Sequence, residues 1–377
     1  MPDIGMRRRK GKTGGIVVFV RTAQIIRGNL AMSSLAVFSA GLLVGCHHPL
    51  PVLRLLIPLA LLLMLFPAFV DMDWERIGQV AARPLPLLLA LLFNLLAAPV
   101  LMSGLLSWAA GTIPAGLTVG LLIFGMIPAG GMGPAYTGML GGNVNLSVAI
   151  SALSLLLSLG SVPFWSWLLI GKVVAVPVFL IARYLFLIIV LPMILAITVR
   201  TWIIRQRGAG YFYRQKDLWR HVSVLGLVMI LFIIPAGDVG FQAAGPALLV
   251  GLILPAAAFS VLLVITAVVA GKVFRLPYGD RIALTVGATT KNTAIAMALA
   301  TTAFSGREAL AVAVAGPLVQ LPVMLCYLEI QGRLSGGPEE NRRLRSRCVP
   351  GHRGDKLGLK DDRFPVEKEQ PTKGKGE

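Results

Sequence analysis

Two short stretches of this chain hold residue types that an apolar run does not carry without a reason. The first reads Ile127-Pro128-Ala129-Gly130-Gly131-Met132-Gly133-Pro134-Ala135-Tyr136-Thr137, and the second Val286-Gly287-Ala288-Thr289-Thr290-Lys291-Asn292-Thr293. Both interrupt runs of leucine, valine, isoleucine and alanine of the length that crosses a bilayer. Breaking a helix there frees backbone N–H and C=O groups that acyl chains cannot satisfy. Such groups persist only where protein, water, an ion or a substrate takes them up. Half-helix N-termini favour anions and C-terminal ends favour cations. Pro128, Gly130, Gly131, Pro134, Tyr136 and Thr137 in the first stretch are therefore candidate substrate-binding residues. Thr289, Thr290, Lys291, Asn292 and Thr293 are their counterparts in the second. The plainer alternative is that glycine and proline only allow kinks or close helix packing. Two breaks at equivalent places, one holding a lysine, favour function.

Lys291 is the sharpest signal. A lysine at the centre of a membrane helix costs about 2.5–3.5 kcal/mol on insertion scales. Its charge must face a polar cavity or be lost by deprotonation. It reads as a counter-charge for an anionic solute or as a proton-coupling group, with snorkelling to an interface as the bland alternative. Arg183 is a second candidate counter-charge, and its place soon after Pro177 makes snorkelling an equal reading. No Asp or Glu occurs between Glu75 and Asp217, and none lies in the core of either broken segment, so a carboxylate-based cation site is not available there. Other polar residues in apolar runs are Asn94, Gln320, and Ser147, Ser151, Ser154 and Ser158, the serines sharing one helix face. Interhelical glue and pathway lining are equal readings of these.

Neither a metal centre nor a cofactor is expected. Cys46-His47-His48 has no fourth ligand in view, and Cys326 and Cys348 show no metal or redox spacing. An intramembrane enzyme would need a nucleophile–base pair inside the spans, and His47, His48, His221 and His352 fall at segment ends or in loops.

Composition says what must position these residues. Of 377 residues, 56% are hydrophobic and 14% charged, against roughly 25% charged in a soluble domain. The net charge of +18 raises nucleic acid as a partner, but the basic residues crowd into the ends and short connectors, which the positive-inside rule explains. The expected partner is the lipid bilayer. Ten apolar segments can be drawn, at roughly 30–46, 53–70, 85–108, 116–140, 145–170, 177–200, 222–237, 245–270, 282–304 and 308–328. The expectation is an all-α membrane protein of about ten transmembrane helices. Residues 1–29 read as a basic cytoplasmic tail on a retained first helix, and 333–377 as a disordered charged cytoplasmic tail. The connector holding Arg200, Arg205, Arg207, Arg214, Lys216 and Arg220 dominates the charge bias, which favours both termini inside a multi-pass cell-membrane protein.

Each break is followed by an apolar run reaching a proline, Pro163 after the first and Pro322 after the second. Residues 30–170 and 173–330 then form two five-helix repeats, the second inverted, with segments four and nine discontinuous. Interrupted helices at matching places of inverted halves are the pattern of a transporter site.

The stretch from Pro128 through Gly142-Asn143 to Leu146-Ser147 resembles the fourth-helix signature of the bile acid:sodium symporter superfamily. Lys291-Asn292 followed by Ile295-Ala-Met-Ala-Leu-Ala300 resembles its ninth-helix signature. The Arg-rich connector 200–220 and Gly316-Pro-Leu-Val-Gln-Leu-Pro-Val-Met324 are similar to its arsenite-efflux branch. The resemblance, over about residues 30–330, implies a panel and a core domain, crossed helices four and nine, and alternating access. Pro134 stands where the family has a sodium-ligating Asn, and Lys291 where it has a Gln. The expected function is secondary transport of a small anion, oxyanion or weak acid without sodium, with arsenite-type efflux among the readings. The alternatives are a sodium-coupled bile acid or organic-anion symporter, and a non-transporting membrane sensor or structural protein.

Overall fold

The computed structural model describes residues 30–70, 84–109, 111–173, 178–237, 246–304 and 308–334. The two expected tails fall outside the described residues, apart from the last helical turn to Leu334, and so do Arg76, Arg83 and Arg307. Among the described residues the regular structure is helical, because lipid leaves a segment to satisfy its own backbone.

In chain order the helices are α1 (Leu30–His47), α2 (Ile57–Val70, after a tight turn Pro51–Leu56), α3 (Pro84–Trp108), α4 (Ala115–Met126), α5 (Gly133–Met139) and α6 (Val144–Leu169). Then come α7 (Val178–Arg214), α8 (Lys216–Gly237), α9 (Pro246–Val273), α10 (Tyr278–Thr289), α11 (Thr293–Thr302) and α12 (Glu308–Leu334). Five of these stretches are long and apolar enough to cross a membrane: Pro84–Trp108, Val144–Leu169, Val178–Arg214, Val250–Val273 and Glu308–Leu334. The fourth and ninth apolar segments are absent from that group because each is split into two short helices.

The Arg-rich connector 200–220 is largely helical: α7 runs to Arg207, breaks at Gly208, resumes to Arg214, and the chain turns at Gln215 into α8. Arginine and glutamine are good helix formers, so the helix does not stop where hydropathy does. The seventh segment gains a turn for the same reason and reaches 22 residues.

Helices α1, α2, α7 and α8 pack on one another. Their contact uses small residues: a Cβ on Gly226 would meet backbone of Ala60 and Met64, and one on Gly45 the carbonyl of Pro235. Ser223 Oγ donates to Met64 O at 2.8 Å across the same contact. In lipid, where apolar burial gives little drive, close backbone approach and such bonds hold helices together. Helices α3, α4, α5, α6, α9, α10, α11 and α12 pack around the two interruptions. Phe179, Phe186, Leu191 and Ile194 stand exposed along α7, a face suited to acyl chains.

Candidate functional site

The two breaks meet. Helix α4 ends where Ile127 turns extended (φ −67, ψ 145), and α10 ends where Thr290 does the same (φ −78, ψ 106). The extended pieces then run antiparallel, with Ala129 opposite Lys291. Gly130 N–H donates to Thr290 O at 2.8 Å and Asn292 N–H donates to Pro128 O at 2.9 Å. Groups that the breaks would have left to lipid are paired with each other. Glycine is required at 130 because a Cβ there would sit 2.9 Å from Lys291 O.

Neighbouring helices satisfy the rest of the seam. Ser154 Oγ accepts from Ala129 N–H at 3.3 Å, and Ser151 Oγ donates to Gly130 O at 3.3 Å. Gln320 Oε1 accepts from Lys291 N–H at 3.0 Å. Thus the serine face of α6 backs the first break and α12 backs the second.

Lys291 is 3% exposed, and its ammonium donates to Asn94 Oδ1 at 3.0 Å. Asn94 is itself held by its amide, which donates to Gly287 O at 2.9 Å and Ala90 O at 3.0 Å. Asn94 lies in a π-turn of α3, Phe93–Ala97, and Gln320 closes a π-turn of α12, Val314–Gln320. Such turns are rare and gather at functional sites. Here one delivers an acceptor to the lysine ammonium and the other an acceptor to its backbone N–H.

The remaining candidates divide by place. The hydroxyls of Thr289 and Thr290 donate to their own helix, to Thr285 O at 2.7 Å and Val286 O at 2.6 Å. Asn292 Oδ1 caps α11 by accepting from Ile295 N–H at 3.3 Å, and Thr293 packs against Gly316. Thr137 Oγ1 donates to Ser147 Oγ at 3.1 Å. Tyr136 is buried with Ile282, Val286, Met324 and Tyr327. Gly131 is exposed and Pro134 half-exposed, at the start of α5. Arg183 is exposed on α7 and is not among the side chains gathered at the breaks.

The described carboxylates of this region sit at helix ends. Asp280, in the first turn of α10, accepts from Asn143 Nδ2 at 2.7 Å, and Asn143 N–H donates to Gly279 O at 2.9 Å. Along a helix Asp280 stands roughly 14 Å from Thr289. Glu308 opens α12, buried against Gly116 and Gly120 of α4. Sequence reasoning gave no place to the Asn143–Asp280 pair, since neither residue carries a local signal for the other. No group of three or more His, Cys, Asp or Glu side chains is arranged to hold a metal among the described residues.

Comparison with known proteins gives the same direction. The profile of the Sodium Bile acid symporter family matches residues 58–244. An uncharacterized transporter of Synechocystis sp. is 23% identical over 322 residues, covering 78% of this chain and 84% of that protein. With the paired breaks, the apolar helices and this match in hand, the chain is a membrane transporter similar over residues 58–244 to the sodium bile acid symporter family.

Proposed function

We propose that the protein is a secondary transporter of a small anion, oxyanion or weak acid, working by alternating access at the meeting of the two breaks and without sodium. The observation that carries this is the Lys291 ammonium, buried at the seam with the neutral Asn94 as its described partner. A buried cation without a carboxylate partner is costly. An anionic solute docking beside it would offset that cost, giving the differential affinity that drives a conformational cycle. The same charge disfavours a sodium ion, and the carboxylates Asp280 and Glu308 stand at the helix ends. Lys291 can serve alternatively as a proton carrier.

The inverted-repeat reading draws support from a local match. Helices α4 and α10 are both 12 residues long and both follow a proline, Pro114 or Pro277. Each has glycine in second place, and that glycine faces the residue opening another segment. A Cβ on Gly279 would lie 3.3 Å from Asn143 N, and one on Gly116 3.5 Å from Glu308 Oε1. Joining the fourth–fifth connector to the eighth–ninth, and the third–fourth to the ninth–tenth, is what two inverted halves require. In this reading ten spans cross the cell membrane with both termini inside, and arsenite-type efflux is one of the substrate classes.

The match to a family described as sodium symporters favours a second reading, sodium-coupled uptake of an organic anion. Proteoliposome flux separates the two. An anion panel is assayed with sodium and proton gradients imposed one at a time. Anion flux that persists in sodium-free buffer supports the proposal, and a strict sodium requirement overturns it.

A further inference from the structure

The unbroken part of α7, residues 178–207, is about 45 Å long at an α-helical rise, against a hydrocarbon core of about 30 Å. Its apolar part ends near Arg200, so the stretch 200–214 lies beyond the acyl chains. That stretch carries Arg200, Arg205, Arg207 and Arg214 and no acid.

It does not project as a rod. Gly208 has φ 78 and ψ 158, outside helical space, in a conformation that favours glycine. On a straight helix residues 200 and 212 would stand roughly 18 Å apart along the axis. Instead the Arg200 guanidinium carbon lies 5.3 Å from the centroid of the Phe212 ring. The chain folds back at Gly208, burying Phe212 to 1% exposure under Arg200. Arg207 Nη1 donates to Tyr211 OH at 2.8 Å and its guanidinium lies 4.9 Å from that ring, while Arg214 Nε donates to Gly210 O at 3.3 Å. Arg205, Arg207 and Arg214 are exposed. Trp202 and Tyr213 flank them, 59% and 50% exposed.

We propose that this elbow is a binding site for the headgroup of an anionic phospholipid. Guanidinium forks match phosphate oxygens in paired hydrogen bonds. Exposed tryptophan and tyrosine are the side chains that settle at headgroup level, which is the depth of the lipid phosphates. The stretch 200–214 itself carries no acid, which makes it complementary to phosphatidylglycerol rather than to a zwitterion. This inference rests on the membrane placement of α7 and is independent of what the helix breaks transport.

The test uses the full-length protein in a neutral detergent. It is titrated with short-chain phosphatidylglycerol, phosphatidylcholine of the same chain length, and glycerol phosphate, with thermal unfolding and tryptophan fluorescence as readouts. Saturable binding of phosphatidylglycerol is expected, with the other two far weaker. A polybasic surface gives about fivefold in affinity per arginine, so R205Q/R207Q/R214Q should weaken it roughly a hundredfold. G208A keeps every charge and meets nothing within 4 Å of its new Cβ, so its loss of binding would isolate the fold-back itself. Should the glutamine variant not fold, R205K/R207K/R214K keeps the charge and removes the forks, and it too must bind more weakly. Glycerol phosphate binding as tightly as the lipid, or phosphatidylglycerol binding unchanged in these variants, overturns the proposal.

Discussion

Asn94→Ala gives the sharpest energetic test of how the site is held. The substitution deletes the acceptor for the Lys291 ammonium at 3.0 Å and the donor to Gly287 O at 2.9 Å. A hydrogen bond to a charged group is worth about 1.5–3 kcal/mol, and a neutral one about 1. Unfolded helices still in the membrane find other partners, which pulls measured values down to at most about 1.7 kcal/mol. The lower end of the charged range, about 1.5 kcal/mol, is therefore the expected ammonium–amide coupling. A double-mutant cycle with Lys291→Met isolates it. The single Asn94→Ala variant should lose that coupling plus about 1 kcal/mol for each of the bonds to Gly287 O and Ala90 O. When Lys291→Met is already present, only the second part should remain. The assay is reversible unfolding of the purified protein in mixed micelles. Additivity of the two substitutions to within about 0.5 kcal/mol would refute the pairing.

The same contacts predict the behaviour of other variants. Gly120→Ala should destabilise by about 1–3 kcal/mol, because its Cβ would meet the Glu308 carbonyl and the Ala311 side chain, whereas Gly104→Ala, with nothing within 4 Å, should be near neutral in the same thermal unfolding assay. Gly130→Ala should destabilise by about 1–3 kcal/mol in that assay and also weaken solute-dependent thermal stabilisation, because its Cβ pushes the Lys291 carbonyl out of the seam. Asn143→Ala should cost about 0.5–2 kcal/mol in the same unfolding assay by removing the cap of α6, and Asp280 loses its partner at the same time.

Much of this is legible in the sequence, for identifiable reasons. The apolar segments are set by hydropathy, a local property, and helices stand where the apolar runs lie. Pro128 and the cluster around Lys291 mark the interruptions because proline and polar side chains oppose a lipid-solvated helix locally. Their meeting can be argued only from the requirement that freed peptide groups find partners. Asn94 and Gln320 are visible as polar residues in apolar runs, but their role is not. Asn94 finds Lys291 across 197 positions of sequence, through a π-turn with no compositional mark. The fold-back at Gly208 is hidden because falling hydropathy marks a connector without saying what backbone it takes, and the positive φ of one glycine leaves no mark in composition. Charge in an apolar run does not say which face it occupies, so Arg183 could not be placed from the sequence, and it stands exposed on α7.

The central claim is that the Lys291 ammonium at the paired breaks receives the transported anion. Sodium-free anion flux into proteoliposomes, compared between the wild-type protein and Lys291→Met reconstituted at equal density and equal thermal stability, tests it directly. Flux in the variant should fall to the level of empty vesicles. Flux in the variant equal to that of the wild type would contradict the claim.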